Sequence, residues 1–259
     1  MRYLKVLYVF WRASVEAEME YRLNFVVSIL SSVGHTVGGL FILSLFYRDG
    51  RGFGGWDWND ALVILGIFTL IEGLSQSLLN PNLNRIVEHV QDGTLDFVLL
   101  KPIDSQFWLS LRYLSLWGIP SMLAGISLIA YGLSRRSIQP ADVLLGAVVL
   151  LAGLLILYSL WFMLGTLSIW FVKIYNITYV LKALVEGGRF PLTAYPPLYR
   201  LIMTYVVPVA FLTTVPAETF LGRGSTFYSL LGVGLAFLFL MLSRAFWRFA
   251  LRYYTSASS

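Results

Sequence analysis

The chain has 259 residues, 58% of them hydrophobic and only 13% charged, with a mean hydropathy of +0.73. Soluble domains average about 25% charged residues, so the composition excludes an ordinary soluble domain and fits an all-α integral membrane protein. The net charge of +5 is accounted for by basic residues gathering at a membrane face rather than by a nucleic-acid surface, and the lack of cysteine excludes disulfides, zinc–thiolate sites and thiol chemistry.

Residues 1–22 predict an amphipathic helix lying in the membrane interface. Leu4, Leu7, Tyr8, Trp11 and Val15 share one face, and Lys5, Arg12, Glu16 and Glu20 lie largely opposite. Charges interrupt this stretch too often for the apolar core of a cleavable leader. The first span is read at 23–47, long enough for a hydrocarbon core of about 30 Å. Gly34 and Gly38 within it have the small-xxx-small spacing that admits a neighbouring helix. His35 reads as a hydrogen-bonded packing residue rather than a ligand or relay. Residues 48–60, rich in Gly, Asp and Trp, form a loop.

A second span is read at 61–79. Glu72 inside it is costly unless it faces protein or water. Two readings stay open: Glu72 and Gln76 line a translocation path or subunit interface, or Glu72 merely bonds Gln76 one turn on. Residues 85–104 then emerge from the membrane. Arg85, Glu88 and Asp92 fall on one side of a helix and Ile86, Val87 and Val90 on the other. Gly93 ends that helix, Thr94 and Leu95 open a further apolar run, and Lys101-Pro102 stops it. Pattern alone allows this segment to lie on lipid headgroups or to pass force to a soluble partner.

The third and fourth spans are read at 107–133 and 141–171. A short or tilted fifth span is read at 174–190, where Lys182 and Glu186 stand four residues apart and could neutralise each other. Residues 191–222 are apolar but broken by Pro191, Pro196, Pro197, Pro208 and Pro216. Such a chain cannot face lipid with open backbone groups, so a re-entrant or protein-packed segment is expected. The last span, 226–247, ends in Arg244, Arg248 and Arg252. Six spans put both termini on one side. With the N-terminus cytoplasmic, that side holds eleven basic residues (Arg2, Lys5, Arg12, Arg22, Arg85, Lys101, Arg112, Lys173, Arg244, Arg248, Arg252) against seven outside (Arg48, Arg51, Arg135, Arg136, Arg189, Arg200, Arg223).

Several chemistries have no motif here. No Gly-Lys-Ser/Thr marks a phosphate-binding loop, no His-Glu-x-x-His marks a zinc hydrolase, and Gly73-Leu-Ser-Gln-Ser77 lacks the second glycine of a nucleophile elbow. The chain is therefore read as no enzyme and as holding no cofactor or metal. Uphill transport would draw on another chain or an ion gradient.

The run Glu88-x-x-x-Asp92-Gly-Thr-Leu-x-x-x-Leu-Leu-Lys-Pro-Ile103 resembles the segment between spans two and three of ABC-2-type permeases, the membrane subunits of bacterial ABC exporters. The N-terminal interfacial helix and the proline-broken region before the last span are similar too. The resemblance implies one permease domain over 1–259, with 85–104 as a cytoplasmic coupling helix. Arg85, Glu88, Asp92, Gly93, Thr94, Leu95, Lys101 and Pro102 would meet the ATPase, and Leu95, Phe97 and Leu99 would anchor the segment. It implies two ATPase subunits using ATP and Mg, a second permease subunit, identical or paralogous, and a place in the inner membrane with both termini cytoplasmic. An amphipathic or lipid-like cargo fits the aromatic spans, as ordinary lipid-facing surface does. The other readings are a proton-coupled transporter using Glu72, His35 or Lys182/Glu186, and a scaffold that moves nothing.

Overall fold

One helix forms the axis of the molecule. In the computed structural model, which describes residues 2–20, 22–48, 54–171 and 175–255, Trp58–Gln91 runs as a single rod of 34 residues, about 51 Å at 1.5 Å per residue. It comprises α3 (Trp58–Leu74), one π-helical turn (Ser75–Leu79) and α4 (Asn80–Gln91). Against it stand α2 (Arg22–Phe46), α7 (Ile119–Ser134) and α8 (Pro140–Thr166), and α12 (Thr226–Ala250) packs on α8. Among the described residues all regular structure is helical and no strand occurs. Five stretches are long and apolar enough to cross a membrane: Phe25–Phe46, Trp58–Gln91, Leu116–Ser134, Pro140–Ile169 and Thr226–Ala250. A sixth arises if Pro197–Val206 and Val209–Phe220, bent by 76°, count as one. Lys173 and the loop residues 49–53 lie outside the described residues.

α3 is apolar all round because it is surrounded; 61% of its most apolar window is buried, against 17% for α2. Its closest neighbour is α7, antiparallel to it. A Cβ at Gly66 would come within 2.8 Å of the Gly125 carbonyl oxygen, one at Gly73 within 2.7 Å of that of Gly118, and one at Gly132 within 2.8 Å of that of Asn59. This glycine seam lets two backbones touch, which is how helices associate where lipid is as apolar as leucine. Gly34 and Gly38 do nothing comparable within the chain: a Cβ at either would meet nothing within 4 Å.

Pro81 explains the π turn. It has no N–H for the Ser77 carbonyl, and the Asn80 N–H reaches back five residues to Ser75. The freed Ser77 oxygen accepts the Ser115 N–H at 2.9 Å. Asn82, 1% exposed, donates its Nδ2 to the carbonyls of Leu78 and Tyr113 and accepts the Tyr113 N–H, each at 2.7–2.8 Å. Residues 112–115 are thereby held out of helix. The apolar run read as a span at 107–133 accordingly divides into a short α6 (Ser105–Leu111) and a membrane-length helix that starts at Leu116.

The helix α1 (Arg2–Met19) packs against this elbow. Trp11 donates its indole N–H to the Leu111 carbonyl at 3.2 Å, the Glu18 carboxylate accepts the Leu116 N–H at 2.6 Å, and Tyr3 meets Phe107 edge-on. Leu7, Trp11 and Val15 are half-buried, whereas Leu4 and Tyr8, read as part of the same apolar face, remain exposed. At the opposite end of the rod, buried Asp60 pairs with Arg136 at 3.0 Å and with Arg223 at 2.9 Å, and Arg136 also pairs with Asp57. The Asp60 and Asp57 charges hold the Arg136 pKa above its already high ordinary value. This node ties the start of α3 to the α7–α8 turn and to the loop before α12.

The stretch read as a fifth span contains α9 (Tyr175–Glu186), 12 residues long and about 18 Å at 1.5 Å per residue, which is shorter than a hydrocarbon core. After it come short helical turns, α10 (Pro197–Leu201) and α11 (Thr214–Phe220). α11 is buried against α8, where a Cβ at Gly146 would strike the Phe220 ring at 2.5 Å.

Candidate functional site

Two sites built on the α3–α4 rod carry the polar chemistry. The first is the surface at its α4 end. Ile86 and Val87 turn inward and are fully buried, while Arg85 and Glu88 face out, as the 3.6-residue period requires. Gly93 follows at φ +67°, a left-handed conformation that costs a residue with a Cβ roughly 1–2 kcal/mol. His89 Nδ1 and Thr94 Oγ1 lie 2.7 Å apart and close the turn. The chain then enters α5 (Leu95–Leu99). Leu95 and Val98, three residues apart, are its buried anchors. Phe97 and Leu99, read from the sequence as anchors, are not buried: Phe97 is 69% exposed and Leu99 37%, with Leu100 beyond them at 80%. The cause is register, since one helical turn can bury only one of these faces. Lys101 and Pro102 are exposed beside them. Arg85 is not free to reach out; its guanidinium stacks on the Tyr113 ring at 3.8 Å.

Asp104 fastens this surface to the bundle. It accepts the Phe107 N–H at 2.9 Å, capping α6, and its carboxylate grips both terminal nitrogens of Arg244 on α12. Burial alone pushes the Asp104 carboxyl up; hydrogen bonds from Arg244 and the amides of Phe107 and Gln106, with the Arg244 charge, outweigh it and hold the group below its ordinary value. Next to it, Gln106 donates to Tyr158 on α8 at 3.2 Å and accepts from Arg244 at 3.2 Å. Ser110 and Tyr158 share a 2.7 Å bond, and Trp247 donates to Ser105 at 3.0 Å. Sequence reasoning missed this knot. Its one local signal was Asp104 followed by a helical run, the usual N-cap pattern.

The second site is a cleft of about 130 Å³ beside the middle of the rod. Four of the intramembrane polar residues singled out from the sequence line it, Glu72 and Gln76 from the rod and Lys182 and Glu186 from α9, and His35 lies beside it. Asn80 adds a further polar wall, and Phe68, Ile71, Leu157, Trp161, Leu181 and Val185 form the apolar walls. Glu72 Oε1 lies 3.5 Å from Gln76 Nε2 and 3.3 Å from Nδ1 of His35 on α2. The other His35 nitrogen bonds Arg189. A polar chain Gln76–Glu72–His35–Arg189 therefore joins the rod, α2 and the turn after α9. Lys182 and Glu186 are not joined: among the described residues no ion pair connects them, and the Lys182 ammonium sits 5.6 Å over the Trp161 ring and 6.0 Å over that of Tyr179. A second groove of about 200 Å³, lined by Ser28, Ser31, Ser32, His35, Gln76, Trp117 and Ser121, adjoins the first along Gln76. Among the described residues no group of His, Cys, Asp and Glu is arranged to hold a metal ion.

Several membrane-length helices around a central rod, with polar clefts at mid-rod, define a multi-pass membrane protein of transporter type. Residues 33–258 match the family described as ABC-2 family transporter protein, and the chain belongs to that family. Its members are membrane subunits of ABC transporters and work with ABC ATPase partners. Among curated proteins, none matches the chain.

Proposed function

We propose that this chain is the permease half of an ABC exporter, driven by ATPase subunits that dock on the surface from Arg85 to Pro102. Two permeases, identical or paralogous, would enclose the path, and two ATPases using ATP and Mg would bind beneath them. Both termini and the docking surface lie on the cytoplasmic side of the inner membrane. α1 rests in the interface on its exposed Leu4 and Tyr8, and the bent α10–α11 region is a re-entrant cap on the far side. The observation that carries the reading is the continuity of the rod. Glu88 at the surface and Glu72 in the cleft belong to one helix, sixteen residues and about 24 Å apart. A displacement of α4 by a closing ATPase is delivered to the cleft without an intervening loop. The π turn between them is the natural point of give, because its hydrogen bonds already depart from the α pattern. ATP binding supplies the differential free energy that shifts the permease between inward- and outward-facing states.

The exposed Phe97 and Leu100, with Glu88 and Asp92 at the rim, form an apolar centre with a charged border, the usual anatomy of a protein interface. The test is co-purification with the ATPase and ATP-dependent transport after reconstitution. Replacing Gly93 by Val should leave ATP hydrolysis running but cut transport at least tenfold, because the turn that orients α5 is strained. Normal transport by that variant removes the docking reading's main support. The Gln76–Glu72–His35–Arg189 chain favours one other reading, a proton-coupled carrier. That reading requires transport to stop with an uncoupler and to ignore ATP.

A further inference from the structure

The cleft holds polar groups left without partners, and their arrangement specifies what would complete them. Glu72 is already engaged by His35 and Gln76. Lys182 and Glu186 line the same cleft, one turn apart on α9, yet do not pair. Trp161, only 3% exposed, lines the cleft under the Lys182 ammonium, and its indole N–H finds no acceptor among the described residues. On another wall the buried Asn80 Oδ1 finds no donor. A buried donor or acceptor left unsatisfied costs free energy, and the half-buried Lys182 and exposed Glu186 present opposite charges at the same cleft, so a ligand offering the complementary groups is favoured there. The Lys182 ammonium and the Trp161 N–H together call for an anionic oxygen. The Glu186 carboxylate and the Asn80 oxygen call for a cation or a strong donor. Phe68, Ile71, Leu157 and Leu181 supply an apolar wall that continues from the polar end.

We infer that the cleft binds the zwitterionic head of an amphiphile, with its anionic group on Lys182 and Trp161, its cationic group on Glu186, and its chain along the apolar wall. This deepens the permease reading and rests on it for the cleft being on the transport path. A purely anionic head would leave Glu186 uncompensated and repelled, and a purely cationic one would do the same to Lys182. Two sources share the chemistry: a two-chain zwitterionic phospholipid of the bilayer and a single-chain zwitterionic amphiphile.

The test uses the full chain in nanodiscs made of an anionic lipid. Binding is titrated with short-chain dihexanoyl phosphocholine lipid, a single-chain dodecyl betaine, and anionic and cationic amphiphiles of matched chain length. Both zwitterions should bind at least tenfold more tightly than either singly charged probe. Lys182→Met should abolish the preference over the cationic probe, and Glu186→Gln the preference over the anionic one. Trp161→Phe should weaken zwitterion binding severalfold with the spans still folded by circular dichroism. The tighter of the two zwitterions names the source, bilayer lipid or soluble amphiphile. Equal affinity for all four probes, or affinities unmoved by Lys182→Met and Glu186→Gln, overturns the inference. ATPase co-purification is measured on the same preparations. If the ATPase binds and the head-group preference is missing, only this inference fails. If the preference is present and no ATPase binds, it is the permease reading that fails.

Discussion

Asp104→Ala should destabilise the folded chain by about 3 kcal/mol, in two separable parts. The carboxylate caps α6 through the Phe107 N–H, and losing an N-cap to alanine costs about 1 kcal/mol. It also clamps Arg244, with side chains 29% and 35% exposed. That pair lies between a surface ion pair, worth up to about 1 kcal/mol, and a buried one whose breakage costs about 3–5, so about 2 kcal/mol is assigned to it. Asn caps a helix as well as Asp does, so Asp104→Asn keeps the first part and loses most of the second. Acid should act on the second part and on the charge-assisted share of the first. The folded-state carboxyl is held below its ordinary value by Arg244 and two backbone amides against the opposing effect of burial. Its contribution is therefore complete above the unfolded-state value, about 3.9, and is lost as pH falls through the lower folded-state value. The gap between wild type and Asp104→Asn should be flat from about pH 5 to 7 and narrow below about pH 4. The assay is equilibrium unfolding in mixed micelles with increasing SDS, repeated across pH. A cost for Asp104→Ala below about 0.5 kcal/mol, or no cost for Asp104→Asn, refutes the clamp, and equal costs for Ala and Asn refute the cap.

Gly125→Ala puts a methyl 2.6 Å from the Leu70 nitrogen and should cost about 2–3 kcal/mol in the same unfolding assay, whereas Gly34→Ala, which meets nothing, should stay within about 0.5 kcal/mol. Asp60→Ala strips the shared partner from Arg136 and Arg223; it should cost about 3 kcal/mol, under the top of the buried-pair range because both arginines are about two-fifths exposed. Asp57→Ala at the same node removes the α3 N-cap, which accepts the Asp60 N–H at 2.9 Å, along with a half-exposed pair, and should cost about 1–2 kcal/mol, still less than Asp60→Ala. Phe97→Asp with Leu100→Asp changes only exposed positions, so unfolding should be unchanged while association with the ATPase weakens about tenfold or more in a pull-down titration.

What the sequence made legible were the features set by local period and composition. The outward face of α4, the turn at Gly93 and the apolar length of the main spans all follow from residues within a turn or two of one another. The four cleft residues were legible too, because a charge or amide inside an apolar run stands out against its surroundings. Their grouping was not, since it needs α9 laid beside the rod across about a hundred residues of chain. Phe97 illustrates a different limit. An apolar residue in an apolar run gives no hint of which side the bundle lies on, and a one-residue shift in register exchanged Phe97 for Val98. Asn82 and Arg244 were missed for a third reason. Asn82 carries no local pattern and Arg244 reads only as a span end, and their value lies in partners 31 and 140 residues away.

The arrangement also says which parts of the permease can move against each other. α3 and α7 meet backbone to backbone along the glycine seam, and neither can slide without driving a carbonyl into a Cα. The Asp60 node pins one end of the rod to the α7–α8 turn and the loop before α12. The Asp104–Arg244 knot pins the α6 elbow, stitched to the other end through Asn82, to α12 and α8. These helices form one body. α2 and α9 are held to it differently: Leu43 of α2 packs on Ala61, Leu62 and Leu65 of α3, but α2 is otherwise mostly exposed and meets the middle of the rod through the polar chain at His35, while the cleft lined by Lys182 lies between α9 and the rod. Polar contacts across a groove exchange partners at little cost, whereas a close-packed seam does not. If the ATPases dock as proposed, opening and closing would fall at the His35–Glu72 contact and the Lys182–Glu186 wall, where the proposed head-group contacts lie. A disulfide across the α3–α7 seam, engineered into this cysteine-free chain, should leave ATP-driven transport intact. One tying position 35 to position 72 should stop it, and the reverse pattern would refute this division of the fold.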